Sequence, residues 1–186
     1  WALVIGVSQY DADEIADLKY AAADARALAE LLGEPQRGGY ETVVLLADDQ
    51  TDPALKPTVP NIIGQLQYAK NHLRGMDRVL VSFSGHGGTI AGQQCLLASD
   101  TRWVGEGPLA NDLVRLADVT EMLDAVGARQ SVVVMDACRS ELMKEGKSAD
   151  AADGVSAEFE AELGGMARGE GRAVIASAKR GQKSYE

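Results

Sequence analysis

The chain has 186 residues, 46% apolar and 25% charged, which suits one well-cored globular domain and excludes a disordered or fibrous chain. Eighteen Lys and Arg against 28 Asp and Glu give a formal charge of −10, which argues against nucleic acid or an anionic membrane surface as partner and favours cationic substrates. The longest apolar runs, such as Val132 to Met135, fall far short of the ~18 residues that a membrane span needs.

In chain order the pattern repeats a short β-branched run, a turn with Gly or Asp, and a segment of helical period, the form of βαβ units and a parallel sheet covered by helices. The chain opens at Trp1 inside an apolar run, without an initiator Met or a leader, so an excised or processed domain is expected. A first strand is expected over Ala2 to Ser8. A helix follows over Tyr20 to Leu32, with Ala21, Ala25, Leu28, Leu31 and Leu32 inward and Gly33 ending it. The loop between them carries Asp11, Asp13, Glu14 and Asp17, a solvated acidic run.

A second strand is expected over Thr42 to Leu46 and a second helix over Val59 to Leu73, with Thr58 and Pro60 at its start and Ile62, Ile63, Leu66 and Leu73 inward. His72 then serves as a dipole partner at the helix end. A third strand runs over Arg78 to Phe83, and Gln94 to Ala98 forms a small hairpin or edge strand. A third helix spans Ala117 to Val126, with Val119, Met122, Leu123 and Val126 inward, before a strand over Ser131 to Met135. From Arg139 to Gly171 the composition shifts to Gly, Ala, Asp, Glu and Lys, the mark of a long mobile connection, and a last strand covers Arg172 to Ala176.

Two cysteines, Cys95 and Cys138, cannot build a disulfide framework, and with only His72 and His86 no structural zinc site of ordinary spacing can be assembled. A reducing compartment, the cytoplasm, is expected. Cys95, in an apolar stretch, suits a small buried hydrophobe. Trp103, Tyr10 and Tyr20 are taken as packing or as groove lining.

Chemistry concentrates where two strands end. Val79 to Phe83 leads into Ser84-Gly85-His86-Gly87-Gly88, and Val132 to Met135 leads into Asp136-Ala137-Cys138-Arg139-Ser140. Ligands bind at the carboxyl ends of strands in an open parallel sheet, so His86 and Cys138 are expected on one rim. A thiol attacks only as thiolate, and an imidazole beside it stabilises that form and delivers the proton to the leaving group. Glycines on both sides of His86 admit a substrate backbone, and the N–H groups of Gly87 and Cys138 could hold an oxyanion. Side chains two apart on a strand share a side, so Asp136 accompanies Cys138 and Ser84 accompanies His86. A carboxylate beside the nucleophile favours a cationic substrate residue.

Through Ser84-Gly85-His86-Gly87, Asp136-Ala137-Cys138-Arg139-Ser140 and Leu18-Lys19-Tyr20-Ala21-Ala22-Ala23-Asp24-Ala25, the chain resembles the caspase-like cysteine peptidases, specifically bacterial caspase homologues and metacaspases. The His and Cys also stand about 50 residues apart, as in caspases. The resemblance implies a caspase-like α/β/α sandwich with a mostly parallel central sheet over residues 1–186: 1–138 like a large subunit, 139–171 an activation loop, and 172–186 the incomplete start of a small-subunit-like part. It implies a catalytic His86 and Cys138 and a primary pocket of Asp24, Ser84 and Asp136. It therefore implies a protein or peptide substrate cut after Arg or Lys, a bidentate carboxylate fit favouring Arg. From the residues alone, Asp24 could equally be a solvated or capping acid and Ser84 a partner of its own turn. The early family segment often reads Cys-x-Asn-Asp-Ala, and of its polar residues only Asp24 is retained here.

Members are often made as zymogens. The connection after Cys138 carries Arg139, Lys144, Lys147 and Arg168 as candidate autoprocessing sites, with a regulatory protein or additional domain as a further partner. Between Thr89 and Asp112 only Asp100, Glu106 and Asp112 are acidic and EF-hand spacing is absent, so no metal or other cofactor, calcium included, is expected. Bacterial relatives suggest roles in stress, cell death or defence. The rivals are a catalytically silent caspase-fold binding module and a flavodoxin-like or receiver-like module.

Overall fold

The computed structural model describes residues 1–75, 78–105, 107–109, 112–138, 157–168 and 171–177, with the backbone alone at Cys138 and 157–160. β1 (Ala2–Gly6) is buried at every position. α1 (Ala21–Gly33) crosses over to β2 (Val43–Ala47), and a 3-10 turn at Pro53–Leu55 leads to α2 (Val59–His72). Thr58 opens α2 as expected, its Oγ1 accepting from the Asn61 N–H at 3.4 Å. β3 (Arg78–Ile90) turns through Ala91 and Gly92, both at positive φ as a tight hairpin requires, into antiparallel β4 (Gln93–Leu96). β5 (Trp103–Val104) and β6 (Gly107–Pro108) form a small hairpin; β7 (Val114–Arg115) pairs with β4 and feeds α3 (Leu116–Val126), which Gly127 ends in the left-handed region. β8 (Gln130–Cys138), α4 (Ala157–Met166) and β9 (Arg172–Ala176) complete the chain.

Parallel pairing gives the order β2-β1-β3-β8-β9. Both faces of the central strands are buried because helices cover both faces, and successive residues pack to opposite sides. Leu3, Ile5, Val81, Phe83, Val133 and Met135 pack against α2 and α3, while Ala2, Val4 and Leu80 pack against Ala25, Ala29 and Leu32 of α1. Each fully buried Leu, Ile or Phe contributes about 1.5–3 kcal/mol. This is the α/β sandwich with a mostly parallel sheet that the sequence implies.

Three local differences have physical causes. β3 and β8 do not stop at Phe83 and Met135 but run on to Ile90 and Cys138, so His86 and Cys138 both lie within strands. The small residues around them have the composition of turns, yet β3 keeps β8 as partner through His86 and then takes up β4 from Gly87 to Ile90. On α1, Ala22 and Ala29 are buried while Leu28 and Leu31 are half-exposed. The helix presents small residues because it lies on the backbone of Gly6, where a Cβ would stand 2.5 Å from the Ala21 carbonyl and 2.6 Å from the Ala25 Cβ. Finally, the expected connection over Arg139 to Gly171 contains α4, which buries Leu163 and Met166 against the α2/α3 core.

Candidate active site

The β3–β8 ladder is parallel and in register from Arg78 opposite Gln130 to Ser84 opposite Asp136 and His86 opposite Cys138. Gly6 stands opposite Ser84 on the other side. Gly6, Ser84 and Asp136 therefore form a row across three strands at the carboxyl edge of the sheet. The first turn of α1, which carries Asp24, lies over the Gly6 end of that row. Ser84 has the parity of Leu80, on the α1 side of the sheet, and is 9% exposed; Asp136 is half-buried and Asp24 exposed. His86 and Cys138 are neighbouring backbone positions, as the reading of one rim requires.

His86 is 1% exposed. Its Nε2 lies 2.8 Å from the carbonyl oxygen of Ala16. A carbonyl only accepts, so Nε2 carries the proton and Nδ1 is the acceptor nitrogen of the neutral ring. The His86 backbone N–H donates to the Tyr10 hydroxyl at 2.9 Å, and the two rings lie 5.1 Å apart at 33°. Ala16 and Tyr10 both belong to the loop after β1, whose ends are joined by the Leu18 N–H donating to the Ser8 carbonyl at 2.8 Å. Asp17, exposed as expected, also accepts from the Tyr10 N–H at 3.1 Å, and Ile15 is fully buried. At the root of the loop the Asp48 carboxylate accepts from the N–H groups of Ser8 and Gln9. Burial pushes the Asp48 carboxyl above the usual carboxylate range, against the pull of those two hydrogen bonds.

The glycines beside His86 also answer internal packing. A Cβ at Gly85 would stand 2.9 Å from the Phe83 ring, and one at Gly87 would stand 3.1 Å from the Ala137 Cβ. Gly87 is buried opposite Leu96 of β4. Cys95 is buried as expected, and its thiol is pushed up to about 11 by burial. His72 sits exposed at the end of α2 with Nδ1 2.9 Å from the Tyr68 carbonyl. Trp103 packs against the core and Tyr20 is exposed. Of the candidate processing sites, Arg168 is exposed in the turn after α4; Arg139, Lys144 and Lys147 lie outside the described residues.

Two of the acids weighed for a cation have other partners: Asp100 accepts from the Val59 N–H at 2.8 Å, and Asp112 pairs with Arg102, which holds its carboxyl below the usual range. Glu106 lies outside the described residues. Among the described residues no three His, Cys, Asp or Glu side chains group as a metal site, and no helix is long and apolar enough to cross a membrane.

The Ala16 carbonyl and Asp48 are not signalled by residue pattern, and Tyr10, read as packing or groove lining, is not tied to His86 by it. A backbone carbonyl has no sequence signature, and Tyr10 and Asp48 act through backbone groups far along the chain.

A family model described as a caspase domain, peptidase C14, matches residues 1–186. Metacaspase-1 of Scheffersomyces stipitis is 31% identical over 90 residues, 48% of this chain and 22% of that protein. Metacaspase-1 of Kluyveromyces lactis is 34% identical over 89 residues, 47% of this chain and 20% of that protein. The match thus spans about a fifth of the length of these relatives. Protein GSU0716 from Geobacter sulfurreducens is similar in fold, with a TM-score of 0.50 at 19% identity over 75% of this chain and 50% of that one.

Proposed function

The chain belongs to the caspase-domain family, peptidase C14, and from that premise we propose that it is a cysteine endopeptidase in which Cys138 and His86 cut proteins after Arg or Lys. The observation that carries this reading is the strand register that makes His86 and Cys138 direct neighbours at the carboxyl edge of the sheet. The Cys138 thiolate attacks the scissile carbonyl, forming a C–S bond while the carbonyl electron pair moves to oxygen. The N–H groups of Gly87 and Cys138 are assigned to that oxyanion. Collapse breaks the C–N bond, and the leaving amine takes its proton from the His86 imidazolium through Nδ1. Water then gives a proton to Nδ1 while its oxygen adds to the thioester carbonyl, and breaking the C–S bond releases the acid and restores the thiolate–imidazolium pair. The Ala16 carbonyl supports this role by holding the Nε2 proton, which stabilises the imidazolium and orients its ring.

Specificity rests on Asp136, Ser84 and Asp24. Their support is the Gly6–Ser84–Asp136 row with the first turn of α1 above it, which brings Asp24 and Asp136 to one edge of the sheet, and paired carboxylates suit a guanidinium. Latency is assigned to the connection after Cys138, with processing at Arg139, Lys144, Lys147 or Arg168; the exposure of Arg168 supports it. Calcium independence is supported by the structural partners of Asp100 and Asp112. A cytoplasmic location and a role in bacterial stress, cell death or defence complete the proposal, the first supported by the buried free thiol of Cys95.

Fluorogenic peptides ending in Arg, Lys or Asp, offered to the wild-type protein and to Cys138→Ala with and without calcium, test it. Arg-directed turnover lost in Cys138→Ala and indifferent to calcium is expected. Asp-directed turnover would overturn the assignment of Asp24 and Asp136, and equal turnover by both proteins would overturn Cys138.

A further inference from the structure

We infer that Tyr10 is a positioning residue for His86, its hydroxyl standing in the β1–β3 ladder where a backbone hydrogen bond would otherwise close; the inference rests on His86 being the catalytic base proposed above. The ladder can be followed along the two strands. Leu80 donates its N–H to the Trp1 carbonyl at 3.1 Å, and Val7 donates its N–H to the Ser84 carbonyl at 2.9 Å. Parallel strands repeat this pattern every two residues, so the next bond in the series would run from the His86 N–H to the Val7 carbonyl. Instead the His86 N–H donates to the Tyr10 hydroxyl at 2.9 Å, and that hydroxyl lies 3.5 Å from the Val7 carbonyl. The phenol oxygen is a spacer between two backbone groups that would otherwise meet.

Two further observations fit the spacer. Gly85 leaves room for it, since a Cβ there would stand 3.2 Å from the Tyr10 hydroxyl. The Tyr10 ring also lies against the His86 imidazole, 5.1 Å between centroids. One side chain thus sets both the backbone and the ring of a residue that is 1% exposed. Beyond Val7, β4 replaces β1 as the neighbour on this side of β3, and its Leu97 N–H donates to the His86 carbonyl at 2.9 Å, so the His86 N–H falls where one ladder gives way to the other. Without the hydroxyl, the His86 N–H and the Val7 carbonyl must close on each other or stay buried and unpaired, and either shifts the imidazole relative to Cys138. A misplacement of this kind reduces the chemical step, not substrate binding, by up to about 100-fold.

The experiment uses the whole chain and two readouts: kcat and KM on an Arg-ending peptide, and the pH dependence of Cys138 alkylation by iodoacetamide, resolved from Cys95 by peptide mass. Wild type, Tyr10→Phe and His86→Ala are compared, with Gly85→Ala as a second variant that displaces the hydroxyl without removing it. In Tyr10→Phe a fall in kcat of about tenfold is expected at unchanged KM, with alkylation shifted toward an ordinary thiol of pKa about 8.5. The same direction is expected for Gly85→Ala. If Tyr10→Phe melts earlier but keeps the wild-type kcat and alkylation profile below its melting temperature, Tyr10 is structural only and the inference falls. Should Tyr10→Phe fail to fold, a wild-type profile in Gly85→Ala overturns the inference on its own. An alkylation profile unchanged in His86→Ala overturns instead the pairing of His86 with Cys138 on which the inference stands.

Discussion

The carbonyl oxygen of Ala16 accepts from Nε2 of His86 across 70 residues of sequence at 2.8 Å, so a backbone group of a distant loop decides which imidazole nitrogen carries the proton. Ile15, the neighbour of Ala16, is the fully buried anchor of that loop. Ile15→Ala and Ile62→Ala, both in the same core, should each cost about 2–5 kcal/mol in urea unfolding. Only Ile15→Ala should also lower kcat, by about tenfold, at a temperature where both are folded. Equal activities would show that the loop does not govern His86.

Gly6 separates the first turn of α1 from the sheet. Gly6→Ala should displace the helix start, because the new Cβ meets the Ala21 carbonyl at 2.5 Å and the helix backbone cannot yield locally. A loss of about 1–3 kcal/mol is expected. With it, KM for Arg-ending peptides should rise more than kcat falls, since Asp24 moves and His86 does not. A kcat effect alone would remove Asp24 from the pocket.

The two thiols should differ sharply. Cys95, buried and pushed up to about 11, should resist iodoacetamide in the folded protein at neutral pH and react only after denaturation, while Cys138 reacts in the folded state. Folded-state labelling of Cys95 at a matching rate would contradict its burial.

Asp48 carries a pH signature. Its folded carboxyl lies above the usual 3.8, so the native state holds that proton more tightly than the unfolded chain. Its contribution therefore falls as pH rises from near the ordinary value through the raised one, and is constant beyond. Asp48→Asn removes the titration. The difference in unfolding free energy between wild type and variant should slope from near the ordinary carboxyl value upward through the raised one and flatten above it. A flat difference throughout would mean that burial does not act on Asp48.

Much of the fold is legible in the residue pattern because burial imposes period. β9 has the bounds its β-branched run suggests, and the four inward residues of α3, Val119, Met122, Leu123 and Val126, are all buried. Strand ends were less legible. Gly85, Gly87 and Gly88 have turn composition, and only pairing with β8 and β4 keeps them extended. Likewise α4 hides in a Gly- and Glu-rich stretch whose helix is held by burying Leu163 and Met166.

The sequence by itself determined the order of strands and helices, the two motifs and the residue types able to do thiol chemistry, since these depend on local composition and spacing. The tertiary structure decided what surrounds them. His86 stands beside Cys138 because two strands are in register, its tautomer follows from a carbonyl 70 residues away, and its backbone rests on a phenol 76 residues away. Those are contacts between backbone groups and distant side chains, which exist only once the sheet has formed and leave no periodic or compositional trace in the chain.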